Sequence, residues 1–110
     1  MTKVWNKLVR DRIPEIIEAD GVAAVTRTLS AAEFFDALHD KLIEETGELK
    51  EAADRGDVIA EAADILEVLA AICDMHGVQM SEVARRQVLK RGERGAFRDR
   101  TFLIETKPRG

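Results

Sequence analysis

The chain has 110 residues, of which 45% are hydrophobic and 35% charged, with 17 Lys+Arg against 21 Asp+Glu for a formal net charge of -4. That length predicts a single domain, residues 1–110, able to bury a core without disulfides, and no apolar run approaches the ~18 residues of a membrane span. The acidic balance and the 5% aromatic content argue against nucleic acid as a partner, since phosphate-backbone binding needs a basic surface.

The amino end, MTKVWNKLVRDRIP, lacks the apolar core of a secretory signal, and one cysteine, Cys73, excludes an internal disulfide or a Cys-based zinc site. A cytoplasmic location is expected. Pro14 suits a first helical turn, so a short helix is predicted from about Ile13 to Ala19, stopped by Asp20-Gly21. Val22–Leu29 is rich in β-branched residues and reads as a short strand, with Thr101–Thr106 a candidate partner for Val25–Leu29.

Ser30 and Glu33 have the spacing of a capping box. A long helix is predicted after Ser30 to about Arg55, with Gly56 as its stop. Asp57 is placed to cap a third helix running to about His76, and Ser81 a fourth ending near Arg91-Gly92. Gly92 and Gly95 most simply end that helix. The expected fold is all-α: an antiparallel bundle of four main helices with a minor two-stranded β-hairpin leaning on them.

Phe34, Leu38, Leu42, Leu49 and Ala52 form an apolar stripe on the second helix. At ~100° per residue, Glu45 falls near the middle of that stripe, Glu48 lies to one side, and Glu44 stacks one turn before Glu48. The third helix is apolar over more than half its circumference (Ile59, Ala62, Ile65, Leu66, Val68, Leu69, Ile72), and Glu61 and Asp64 interrupt it. A face that wide exceeds what one partner helix covers, so a homodimer completed by a second copy is expected. Glu67 and Asp74 read as solvated.

Twelve residues separate Glu48 from Glu61, and the short connection makes the two helices antiparallel neighbours. E-x-x-E and E-x-x-D can then face each other. Carboxylates converging on one space repel, and a hard divalent cation such as Mg²⁺, which also holds substrate phosphates, would relieve them. The competing reading is that such pairs merely decorate a solvated face.

Other residues have bland readings. His76 complements a helix end, Cys73 packs as a small hydrophobe, and Phe34 and Phe35 belong to the core. Trp5 can stack on a base or pack in the core or at an interface. Lys7, Arg10 and Arg12 form either a solvated charge cluster or a phosphate contact.

The set Glu44, Glu45, Glu48, Glu61, Asp64 resembles the signature of the MazG-like all-α nucleoside triphosphate pyrophosphohydrolases. The segments NKLVRDRIPEII (6–17), VTRTL (25–29), KLIEETGEL (41–49), EAADILEV (61–68) and K-R-G-x-x-G-A-F (90–97) resemble its phosphoribosyl-ATP pyrophosphohydrolase-like branch of house-cleaning pyrophosphatases. The resemblance implies Mg²⁺-dependent hydrolysis of a nucleoside triphosphate to monophosphate and pyrophosphate, with Mn²⁺ able to substitute. It implies metal ligation by Glu45, Glu48, Glu61 and Asp64, general base action by Glu44, and phosphate contacts from Lys90 and Arg94. It also supports a dimer or tetramer. Some members carry a lysine where this chain has Val58, which shifts phosphate neutralisation toward Lys90, Arg94, Lys7 or Arg10. The alternatives are phosphoribosyl-ATP pyrophosphohydrolase of histidine synthesis and a non-catalytic helical interaction module.

Overall fold

A computed structural model describes all residues, Met1–Gly110. The chain is all-α, in the order α1 (Ile13–Ala19), α2 (Ala31–Glu51), α3 (Arg55–Met75) and α4 (Met80–Arg94). It divides into two compact units, Met1–Val78 and Gln79–Gly110. No helix is long and apolar enough to cross a membrane.

α1 starts with proline in its first turn and ends at Asp20 before Gly21, whose φ of 81° is the left-handed conformation that stops a helix. α2 opens on the capping box: Glu33 N–H donates to Ser30 Oγ, and Ser30 N–H donates to Glu33 Oε1. Arg27 adds two bonds to the Glu33 carboxylate, at 3.2 and 2.8 Å. These bonds, led by the arginine's, hold the Glu33 carboxyl down to about 2.

The expected β-hairpin does not form. Neither Val22–Leu29 nor Thr101–Thr106 carries a strand. The two segments belong to different compact units, and Val25, Phe102 and Ile104 are almost wholly exposed. β-branched composition favours a strand only where a partner and an apolar surface exist to receive it.

The boundary between the long helices also differs from the expectation. α2 ends at Glu51, with Ala52 already extended at φ -58°, ψ 127°. The cap of α3 is Asp54, whose Oδ1 accepts from Asp57 N–H at 2.8 Å. Gly56 therefore sits inside the first turn of α3. Two aspartates competed for one capping role, and the earlier one won because its side chain reaches the free N–H three residues on. At α4 the cap is Gln79, boxed with Glu82, rather than Ser81. Gly92 lies within α4, and Gly95 (φ 81°) follows its end.

α2 and α3 supply the main tertiary contact. Leu38 and Val68 are its two buried apolar side chains. Leu38 lies two helical turns before Glu45 on α2, and Val68 two turns after Glu61 on α3. Because the helices are joined by Ala52–Asp54 and run antiparallel, the core pair and the acid pair fall on one shared face.

Candidate active site

The acids come from that shared face. Glu44, Glu45 and Glu48 of α2 bring carboxylate oxygens within 4.8 Å of one another, and so do Glu45, Glu61 and Asp64 across the two helices. Glu45 belongs to both groups and is 6% exposed. Glu61 and Asp64 are half-buried, while Glu44 and Glu48 are exposed. All five acids singled out in the sequence are thus gathered at one place.

This arrangement opposes full ionisation. Oε2 of Glu45 and Oε2 of Glu61 are buried without a hydrogen-bond partner, which costs free energy for an acceptor that needs donors. Loss of water raises the Glu45 carboxyl above its ordinary value, with the Glu48 and Asp64 charges adding to the rise while Glu61 opposes it. The Glu61 carboxyl rises to about 7, first through desolvation and then through Glu48 and Glu45. A hard divalent cation would supply what both oxygens lack. The donor set is all carboxylate oxygen, the chemistry that such cations take, so these residues can hold a metal ion.

Two cations balance part of the charge. Arg10 Nη2 donates to Asp64 Oδ1 at 2.6 Å, with both side chains about half exposed. Lys41 Nζ stands 3.7 Å from Glu45 Oε1, and its side chain is 21% exposed.

A cleft of about 440 Å³ opens beside the acids. Lys7–Asp11 and Ile13 form one wall, and Phe34, Leu38, Lys41 and Glu45 of α2 and Asp64, Glu67, Val68 and Ala71 of α3 form the rest. A smaller cleft of about 210 Å³ lies next to it, lined by Asn6, Lys7, Leu8, Ala37, Asp40, Lys41 and Glu44.

Lys7 and Arg10 therefore line the acid-bearing cleft. Lys90 and Arg94 lie on α4, in the second compact unit, and are exposed. Trp5 is 61% exposed, with Lys3 Nζ 3.9 Å and Lys7 Nζ 5.2 Å from its ring centre, so its observed contact is cation–π rather than core packing. His76 caps the end of α3 and meets Phe35 edge-on at 6.2 Å. Cys73 is half-buried.

Four charged cleft residues, Asp11, Asp40, Lys41 and Glu67, have no assigned role in the sequence reading. Glu67 is exposed, yet it lines the larger cleft. Lys41 lines both clefts. Its signal was available: a lysine one turn before the acid at the centre of an apolar stripe has little solvent to reach.

Residues 22–90 match the phosphoribosyl-ATP pyrophosphohydrolase family. That span includes all five acids, Lys41 and Lys90. Over 55 residues the chain is 54% identical to an uncharacterized protein of Mycolicibacterium smegmatis, an alignment that covers 50% of this chain and 55% of that protein. The chain thus spans about half the length of this curated relative. No solved structure matches the chain. Since the family match runs over more than half the chain and through both acid-bearing helices, this protein belongs to the phosphoribosyl-ATP pyrophosphohydrolase family, part of the MazG-like all-α pyrophosphohydrolase superfamily.

Proposed function

We propose that the chain is a Mg²⁺-dependent nucleotide pyrophosphohydrolase, converting a nucleoside triphosphate and water to the monophosphate and pyrophosphate in a house-cleaning role. The observation that carries this reading is Glu45: a buried carboxylate with an unpartnered oxygen, shared by two groups of acids in a member of a pyrophosphohydrolase family. Glu45, Glu48, Glu61 and Asp64 are the residues assigned to hold the metal, with Mn²⁺ able to replace Mg²⁺. When bound, the ion supplies positive charge to the phosphate oxygens and acidifies water.

The remaining work falls to the chain itself. Glu44, exposed beside Glu45 and Glu48, is assigned to accept a proton from the attacking water. The water oxygen bonds to the α-phosphorus, the bond from that phosphorus to the bridging oxygen breaks, and the electron pair leaves with pyrophosphate. Lys7 and Arg10 from the cleft wall, with Lys90 and Arg94 from α4, are assigned to the phosphates, where fixed cations offset the charge of the departing group. Arg10 must then exchange Asp64 for phosphate.

A second reading keeps the chemistry and changes the substrate. The matched family is named for phosphoribosyl-ATP, so that compound of histidine synthesis is the alternative. A non-catalytic helical module is a third. The whole chain is taken as one functional domain acting in the cytoplasm as a homodimer or tetramer, with no nucleic acid or membrane partner. The exposed apolar side chains Ile59 and Leu66, seven residues apart on α3, support the second copy.

The test is pyrophosphate release from a panel of standard and modified nucleoside triphosphates and phosphoribosyl-ATP, with and without Mg²⁺, beside Glu48→Ala. Mg²⁺-dependent release of both products, lost in the variant, is expected. Release from phosphoribosyl-ATP alone selects the second reading. No release from any substrate, with the protein folded, selects the third.

A further inference from the structure

Lysine is rarely held away from water unless its ammonium has a task. Lys41 keeps only 21% of its side-chain exposure, and its ion-pair partner, Glu45 Oε1, stands at 3.7 Å, beyond hydrogen-bond reach. The pair also runs in the weaker direction along the helix, since a lysine four residues before a glutamate opposes the helix dipole. Stabilising α2 therefore does not account for it.

Its place is more informative. Lys7, Leu8 and Lys41 line both clefts, so they mark the junction between them. On the larger side lie Glu45 and Asp64, and on the smaller side Glu44. An ammonium there has three donors and one distant acceptor. It sits beside a cluster whose negative charge a divalent cation would offset in part, so that an incoming anion meets the metal together with Lys7, Arg10 and Lys41, set against the carboxylates of Asp11, Asp40 and Glu67 that also line the clefts.

We infer that Lys41, together with Lys7, forms a phosphate-binding subsite where the two clefts meet, and that it holds the phosphates that leave as pyrophosphate. The subsite deepens the pyrophosphohydrolase reading and rests on it for the identity of its ligand. Lys41 donates hydrogen bonds to phosphate oxygens, and Glu45 at 3.7 Å keeps the ammonium from swinging out to solvent.

The test uses the whole 110-residue chain and inorganic pyrophosphate as the probe, titrated calorimetrically with Mg²⁺ present. Wild type, Lys41→Met and Lys41→Arg are compared, and Mn²⁺ affinity without phosphate is read separately by electron paramagnetic resonance. Lys41→Met is expected to weaken pyrophosphate binding roughly tenfold or more, as loss of a charge-assisted hydrogen bond does. Lys41→Arg should stay within about threefold, because the charge is kept. Mn²⁺ affinity should not fall in Lys41→Met, since a cation beside Glu45 competes with the metal. Should Lys41→Met not fold by circular dichroism, Lys41→Gln carries the same comparison.

Unchanged pyrophosphate affinity in the variant overturns the subsite, as does wild type that fails to bind pyrophosphate. A matching loss of Mn²⁺ affinity also overturns it and leaves Lys41 as a prop for Glu45. Lysine-dependent pyrophosphate binding in a protein that hydrolyses no nucleotide would uphold the subsite and reject the reaction.

Discussion

Glu45→Gln should move stability and metal binding in opposite directions. In the native chain Glu45 is 6% exposed and its Oε2 has no donor. Leaving a buried polar atom unsatisfied costs about 1–3 kcal/mol. The amide of glutamine replaces that acceptor with two N–H donors amid carboxylate oxygens lying within 4.8 Å, so the penalty becomes a set of hydrogen bonds. Against this stands the loss of the Lys41 pair, at 3.7 Å and partly exposed, which is worth no more than about 1 kcal/mol. With the full loss counted, the balance is a gain of up to about 2 kcal/mol. Unfolding entropy of ~2.1 cal/mol/K per residue gives about 0.23 kcal/mol per kelvin for a chain of this length, so the metal-free protein should melt higher, by up to roughly 9 °C. The assay is thermal unfolding at pH 8, with and without Mg²⁺. Wild type should gain stability from the ion, and the variant should lose most of that gain. A variant that melts lower than wild type without metal, or keeps the full Mg²⁺ response, would refute the account of Glu45 as a strained ligand.

The remaining predictions follow from other parts of the same hairpin. Glu61 has a carboxyl pushed up to about 7, above the unfolded value, so the folded chain binds more protons than the unfolded one between about pH 4.5 and 7. Its contribution is fully present below that window and is lost as pH rises through it. Melting of the metal-free protein followed across the window should therefore decline through the Glu61 effect, and Glu61→Gln should flatten that decline. Divalent binding should show the reverse trend and weaken toward acid, where protons compete for the same oxygens; Mn²⁺ affinity constant from pH 8 to 5 would contradict the cluster. The proposed homodimer is tested by Leu66→Asp, at a side chain 58% exposed on α3: wild type should sediment as a dimer and the variant as a monomer, with helix content by circular dichroism unchanged. Ser30→Ala removes the side-chain acceptor of the α2 box and should cost about 1 kcal/mol in urea unfolding, without altering Mn²⁺ affinity.

Much of this was legible in the sequence for an identifiable reason. Pro14 and the Ser30–Glu33 box act locally, and α1 and the start of α2 fall where they indicate. The placement of Glu45 within the Leu38–Leu42–Leu49 stripe also follows from helical geometry alone, and the residue is buried. Elements that depend on a neighbour were less readable. Val22–Leu29 has the composition of a strand and nothing to pair with. Nothing in Glu51-Ala52-Ala53 announces the end of α2, so the sequence points to Gly56 as the break, whereas the structure places the break before Asp54, the cap of α3. The position of Lys41 one turn before Glu45 signals a shielded ammonium, but the two clefts that meet at it exist only once the chain folds.

The two-turn spacing that seats Leu38 and Val68 in the core also seats Glu45 and Glu61 among the acids. Folding and chemistry therefore draw on one helical register. Deleting a single residue between Leu38 and Glu45 would rotate one set by ~100° against the other, so that no helix rotation could recover both the core and the cluster. Substitution can tune this hairpin gradually, but changes of length within either helix cannot. The three-residue joint at Ala52–Asp54 is where an insertion would be borne, because added loop length costs little. The hairpin is in this sense a ruler, and its graduations admit no slippage.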